Sequence, residues 1–143
     1  MIDLHAHSRC SDGSDSPREL VYLAARIGLS ALALTDHDTL EGVAEAKKAA
    51  ESSGIRLIPG CELSCEVSEG TMHLLVYFLD DGPGPLQDRL AGLQAARATR
   101  NERIVGLLAG VGVEITLDEL LAEAGGGSVG RPHLAAILVR KGY

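Results

Sequence analysis

The feature that most limits what this chain can fold into is a repeated form: a short apolar run, a polar loop, then a helical stretch. Met1 to Ala6 has the look of a buried strand and runs into the polar loop His7 to Ser16. Pro17 then opens a helix to about Ile27, with Ser16 at the capping position, Glu19 near the positive helix end and Gly28 as the stop. Ser30 to Thr35 (SALALT) is a second strand, followed at once by Asp36-His37-Asp38 and by a helix over Leu40 to Ser53 that Gly54 ends. Ile55 to Ile58 is a third strand, with Pro59-Gly60 as a turn after it. Cys61 to Val67 and Met72 to Leu79 are two more extended segments. This order predicts an α/β fold with parallel strands and crossover helices. Its chemistry belongs in the loops at the strands' C-terminal ends.

The character changes after Asp80. Asp81-Gly82-Pro83-Gly84-Pro85 is a cluster of helix breakers. Leu86 to Ala109 then carries apolar residues at helical spacing, Leu117 to Ala124 is a further helix ended by Gly125-Gly126-Gly127, and Pro132 to Arg140 is a last short one. Residues 1–80 therefore form one portion and residues 81–143 a helical insertion expected to lie over the site. The interior must be aliphatic, since 45% of the residues are hydrophobic and only 3% aromatic. A formal charge of -7 argues against general coating of DNA or RNA. It leaves room for a phosphorylated substrate, because bound divalent cations reverse the local field. Three cysteines, at 10, 61 and 65, with no secretory signal, fit a reduced cytoplasmic protein. No apolar run reaches the length of a membrane span.

Four of the five histidines, His5, His7, His37 and His73, fall in or just after strands. His5 and His7 are two apart, so both rings point to one side of an extended segment and can grip one ion. Asp12 leaves the same strand in Ser11-Asp12-Gly13 and can reach a second ion. Thr35 to Thr39 delivers Asp36, His37 and Asp38 together at the end of an almost purely apolar strand, which demands partners for them. Asp38 fits a cap for the following helix, and Asp36 fits a group that orients His37 from behind. Glu62, after the third strand, can bridge two cations with its two oxygens. Each element alone has a plainer reading: solvated or core histidines, an ordinary turn, a surface glutamate. Together they put imidazoles and carboxylates after successive strands, where they converge. Such a set without cysteine suits Mn, Fe or Zn, and several close metals suit phosphoester hydrolysis.

These residues resemble the PHP family, the phosphoesterase domain named for polymerase and histidinol phosphatase members. The matching motifs are DLHAHSRCSDG (3–13), LTDHDT (34–39), PGCELS (59–64) and HLLVYF (73–78). LQAARATRNERIVGLLAGVGVEIT and VGRPHLAAILVRKGY are similar to the branch of nucleoside 3',5'-bisphosphate phosphatases and 5'-to-3' exoribonucleases. The resemblance implies the N-terminal portion of a distorted (β/α)7 barrel with a helical insertion. It implies up to three divalent ions per complete site, Mn before Fe or Zn. His5, His7 and Glu62 would hold one ion, Asp12 and His37 a second, and Glu62 would bridge to a third held also by His73. A metal-bound hydroxide would be the nucleophile. The insertion would close on a nucleotide or short RNA with basic side chains: Arg97, Arg100 and Arg103 at three-residue spacing, Asn101 beside them, and Arg131 in Gly130-Arg131-Pro132-His133. The arginine row reads equally as a solvated helix face, and His133 either touches substrate or caps a helix.

The family pattern also includes a further His and a late Asp-x-His pair, for which residues up to Tyr143 offer no match. The sequence therefore leaves three readings: a nucleotide phosphoesterase, complete only with its missing barrel half, whether that half belongs to a longer product of which this is a fragment or to another chain; a phosphatase for another ester such as histidinol phosphate; or an inactive metal-binding fragment.

Overall fold

The computed structural model describes residues 1–143. Four strands, β1 (Ile2–Ala6), β2 (Ala31–Leu34), β3 (Arg56–Cys65) and β4 (Met72–Tyr77), form one sheet in the order β1-β2-β3-β4. β1, β2 and β3 are parallel, and β4 returns antiparallel to β3. The crossovers are α1 (Pro17–Arg26) and α2 (Val43–Ser53), which pack on each other and on the sheet. Ser16 and Glu19 form the reciprocal cap that starts α1. The main core joins Val21 and Ala24 of α1, Leu32 and Leu34 of β2, and Val43, Ala46, Ala49 and Ala50 of α2. The alanine face of α2 lets the helices approach closely. Ala31 and Ala33 occupy the other face of β2 beside Ile58, so this strand is buried on both sides.

Three sequence expectations are corrected. β1 is not buried: it is an edge strand paired only with β2, and Ile2 and Leu4 are 60% and 44% exposed. Pro59-Gly60 is not a turn but the middle of β3, which fuses two predicted segments into one. The strand tolerates Pro59 because its carbonyl still accepts from Leu79 N–H, and it needs Gly60 because a Cβ there would lie 2.8 Å from Val76 O and 3.0 Å from Thr35 Cγ2. α2 starts at Val43 rather than Leu40, behind Gly42 and with no side-chain cap.

Beyond the sheet run α3 (Pro85–Gly110), α4 (Leu117–Ala124) and α5 (Arg131–Lys141). The first half of α3 joins the main core through Leu86, Leu90 and Leu93. Its second half, through Ile104, Val105 and Leu108, packs on a second core of Ile115, Leu120, Leu134 and Ile137. The long helix thus belongs to both regions. The loop after α4 lies on the loop after β1: Ser128 N–H donates to Cys10 O at 2.8 Å, and a Cβ on Gly127 would run into Arg9 O. Only glycine allows that approach.

Candidate metal centre

The loops leaving β1 and β2, the middle of β3 and the start of β4 meet at one end of the sheet. Glu62 is at the centre, its side chain 8% exposed. Its Oε2 lies 2.8 Å from His5 Nε2, 3.0 Å from His7 Nε2 and 3.9 Å from His37 Nε2, and its Oε1 lies 2.7 Å from His73 Nδ1. Asp12 sits 3.4 Å from His7 Nδ1 through Oδ1 and 3.6 Å from His37 Nε2 through Oδ2. The four imidazoles follow one another with ring centroids 5.0, 4.8 and 5.0 Å apart.

These residues make three overlapping sets: His5, His7 and Glu62; His7, Asp12 and His37; His37, Glu62 and His73. Donor atoms about 2.1 Å from one ion stand roughly 3 Å apart, and the separations just given bracket that value. No cysteine enters any set, so the donors suit a borderline or hard divalent ion. His37 also keeps a buried Nδ1 with no protein partner. Burial pushes the His37 imidazole below its usual range, against the pull of Asp12 and Glu62, toward the neutral form that a ligand needs. Burial would raise Glu62, but the His5 hydrogen bond and the neighbouring His37, His73 and His7 win and hold its carboxyl below the usual range.

Two acids behind the cluster differ from expectation. Asp36 does not orient His37. Successive residues of an extended chain point to opposite sides, and the Asp36 carboxylate accepts from Ser8 N–H (2.7 Å), Ser8 Oγ (2.6 Å) and Ser11 Oγ (2.6 Å). Ser11 Oγ lies 3.3 Å from His7 Nδ1, so Asp36 reaches the cluster through Ser11 and His7. Burial nevertheless pushes the Asp36 carboxyl up. Asp38 does not cap α2. It turns back to Ser64 and to Arg97, and its carboxyl is held low by those partners against the opposing effect of burial.

The predicted arginine row is parted by helix geometry. At about 100° per residue, three residues advance 300° and six leave side chains about 120° apart. Arg97 is accordingly buried, Arg100 half-buried and Arg103 exposed. Arg97, Arg100 and Arg131 line a cleft of about 200 Å³ together with Asp12, His37, His73 and Thr71. Arg100 Nε is buried without a partner, and burial and then the charges of Arg97 and Arg131 push the guanidinium below its ordinary range. Arg103 and Asn101 do not line this cleft; Asn101 is buried and donates Nδ2–H to Val129 O at 3.3 Å. His133 accepts Gly130 N–H at 3.0 Å and so caps α5. Sequence reasoning missed Ser8, Ser11 and Ser64, although all three stand inside the motifs quoted above.

Bound cations should relieve the crowding of carboxylates and rings. Ions at about a hundred times their dissociation constant add about 2.7 kcal/mol, or roughly 5–10 °C in a chain of this size. Thermal unfolding with Mn2+ and after chelation measures this, and equal midpoints would count against a bound cluster.

The profile of the PHP domain family matches residues 3–120. A 5'-3' exoribonuclease of Haemophilus influenzae is 39% identical over 98% of this chain and 51% of its own length. A 3',5'-nucleoside bisphosphate phosphatase of Chromobacterium violaceum is 34% identical over 99% of this chain and 50% of its own. A crystal structure from Bifidobacterium adolescentis, provisionally assigned as a metal-dependent phosphoesterase, superposes with a TM-score of 0.90 at 35% identity, over 99% of this chain and 50% of that one. The chain therefore spans about half the length of the curated relatives it matches, and it has the architecture of the N-terminal portion of a PHP barrel.

Proposed function

This chain belongs to the PHP domain family, and from that premise we propose that it acts as a metal-dependent phosphoesterase on a phosphate monoester of a nucleotide, either a nucleoside 3',5'-bisphosphate or a short 5'-phosphorylated RNA. The observation that carries this reading is the shared cleft, which Asp12, His37 and His73 line together with Arg100 and Arg131. Divalent ions, Mn before Fe or Zn, supply Lewis-acid polarisation of a phosphoryl oxygen and a lowered pKa for attacking water when bound. His5, His7, Asp12, His37, Glu62 and His73 would hold them. The protein's own part is placement. Glu62 joins two of the sets, and Asp36 fixes the β1 loop through Ser8 and Ser11. Arg100 and Arg131 bring two positive charges to one cleft, an arrangement that favours a second phosphate. Asn101 and Arg103 do not line the cleft, and Arg97, which does, is already paired with Asp38. Three free cysteines support a cytoplasmic setting, and no helix is long and apolar enough to cross a membrane.

Half coverage of the relatives favours a second reading, a metal-binding portion that turns over only together with the other half of the barrel. Turnover of a nucleoside 3',5'-bisphosphate, histidinol phosphate and an aryl phosphate, with Mn2+ and with chelator, tests both. The expected result is metal-dependent hydrolysis with the bisphosphate favoured at least about tenfold. Preference for histidinol phosphate would overturn the nucleotide assignment. Metal uptake without turnover would support the second reading.

A further inference from the structure

Arg97 arises on α3, far in sequence from the strands, yet it is 8% exposed and two of its donors meet the loops behind the cluster. Its Nε donates to Asp38 Oδ2, and an Nη donates to Ser64 Oγ at 2.7 Å. Ser64 in turn donates N–H (2.7 Å) and Oγ–H (2.8 Å) to the Asp38 carboxylate, which closes a triangle. Gln94, one turn earlier on α3, donates to Asp38 O at 3.2 Å.

The triangle stands directly behind the metal-set residues. Asp38 follows His37, and Ser64 is two residues past Glu62. Asp38 N–H donates to Glu62 O at 3.1 Å, and Glu62 N–H donates to Asp36 O at 3.2 Å. The β2 loop and β3 are thus laced to each other and, through Arg97, to α3. Asp38 also holds a left-handed backbone, φ 54°, which a non-glycine residue keeps only when its surroundings enforce it. Its buried carboxylate has one cationic partner. Remove that partner, and the charge is relieved most cheaply by swinging the loop toward solvent, with His37 on it.

We infer that Arg97 is a positioning residue of the metal centre: through Asp38 and Ser64 it holds His37 and Glu62 at the spacing the ions require. This rests on the reading of the cluster as a metal centre, and the test separates the two. Mn2+ is titrated calorimetrically into the full chain and into Arg97→Gln, Arg97→Lys, Asp38→Asn and the Arg97→Gln/Asp38→Asn pair. Amide hydrogen exchange is followed in the metal-free proteins. Arg97→Gln should weaken Mn2+ binding about tenfold or more, as loss of a group that holds ligands does. It should also speed exchange at the Asp38 and Glu62 amides about tenfold while leaving Val21 and Leu32 unchanged. Arg97→Lys should recover part of both effects. The paired variant should lose no more than either single one, because all three break one network. Wild-type affinity and exchange in Arg97→Gln would overturn the inference, as would acceleration spread evenly over the whole chain. If the unsubstituted chain takes up no Mn2+, the metal-centre reading fails and the exchange data alone decide the role of Arg97.

Discussion

Glu62→Gln should strip the chain of most of its bound metal, while Glu66→Gln leaves metal content as it was. The two glutamates are four residues apart, but β3 ends between them, at Cys65. Glu62 is buried, touches four imidazoles and belongs to two of the three donor sets. Glu66 is exposed and belongs to none. The amide keeps the shape of the carboxylate and removes its charge and one acceptor oxygen. Its NH2 group then faces ring nitrogens and cations. Losing a charged contact in a partly desolvated site costs roughly 1.5–3 kcal/mol, so at least tenfold in affinity is expected for each ion that Glu62 touches. Elemental analysis after dialysis into metal-free buffer gives the stoichiometry, and the melting midpoint shows that both variants fold. Equal loss from the two variants would remove Glu62 from the centre of the cluster.

What the sequence revealed and what it hid follow from the range of the interactions. The clustering of these donors was legible because each stands in a short motif at a strand end, where burial of an ionisable group demands a partner. The crossover helices were legible from local signals such as Ser16, Glu19 and Gly54. The error at Pro59-Gly60 came from treating a local turn preference as decisive. There the neighbouring strands, through Val76 O and Leu79 N–H, make a continuous strand the better use of the backbone. Asp38 was misread for the same reason. A helix cap is a local solution, but Ser64 and Arg97 offered stronger partners that lie 26 and 59 residues away. Spacing along α3 also says nothing about which of three arginines meets a buried acid, so the pairing of Arg97 with Asp38 was out of reach. The exposed apolar side chains of β1, Ile2 and Leu4, were also beyond reach, since strand order decides which strand becomes an edge.

Arg100→Ala and Arg131→Ala should weaken turnover of a nucleoside 3',5'-bisphosphate far more than turnover of an aryl phosphate. On the proposed reading, the donor cluster handles the phosphate being cleaved, whichever molecule carries it. A second phosphate needs cations of its own. The cleft supplies two that are not otherwise engaged as Arg97 is: Arg100, with its Nε buried and unpartnered, and Arg131, exposed at the start of α5. Arg100 is the more telling of the two. Burial and then the charges of Arg97 and Arg131 push its guanidinium below its ordinary range, and a bound anion relieves that crowding. Removing one charge-assisted contact should cost roughly 1.5–3 kcal/mol, about ten- to a hundredfold in kcat/KM for the bisphosphate. The aryl phosphate has no second anion to lose and should change by less than about threefold. Arg103→Ala, on the same helix but turned about 120° from Arg97, serves as the control and should leave both substrates alone. Steady-state kinetics on the metal-loaded protein decide the matter. A fall by the same factor on both substrates would mean that the two arginines act on the reacting phosphate or on folding, and the bisphosphate assignment would lose its chemical basis.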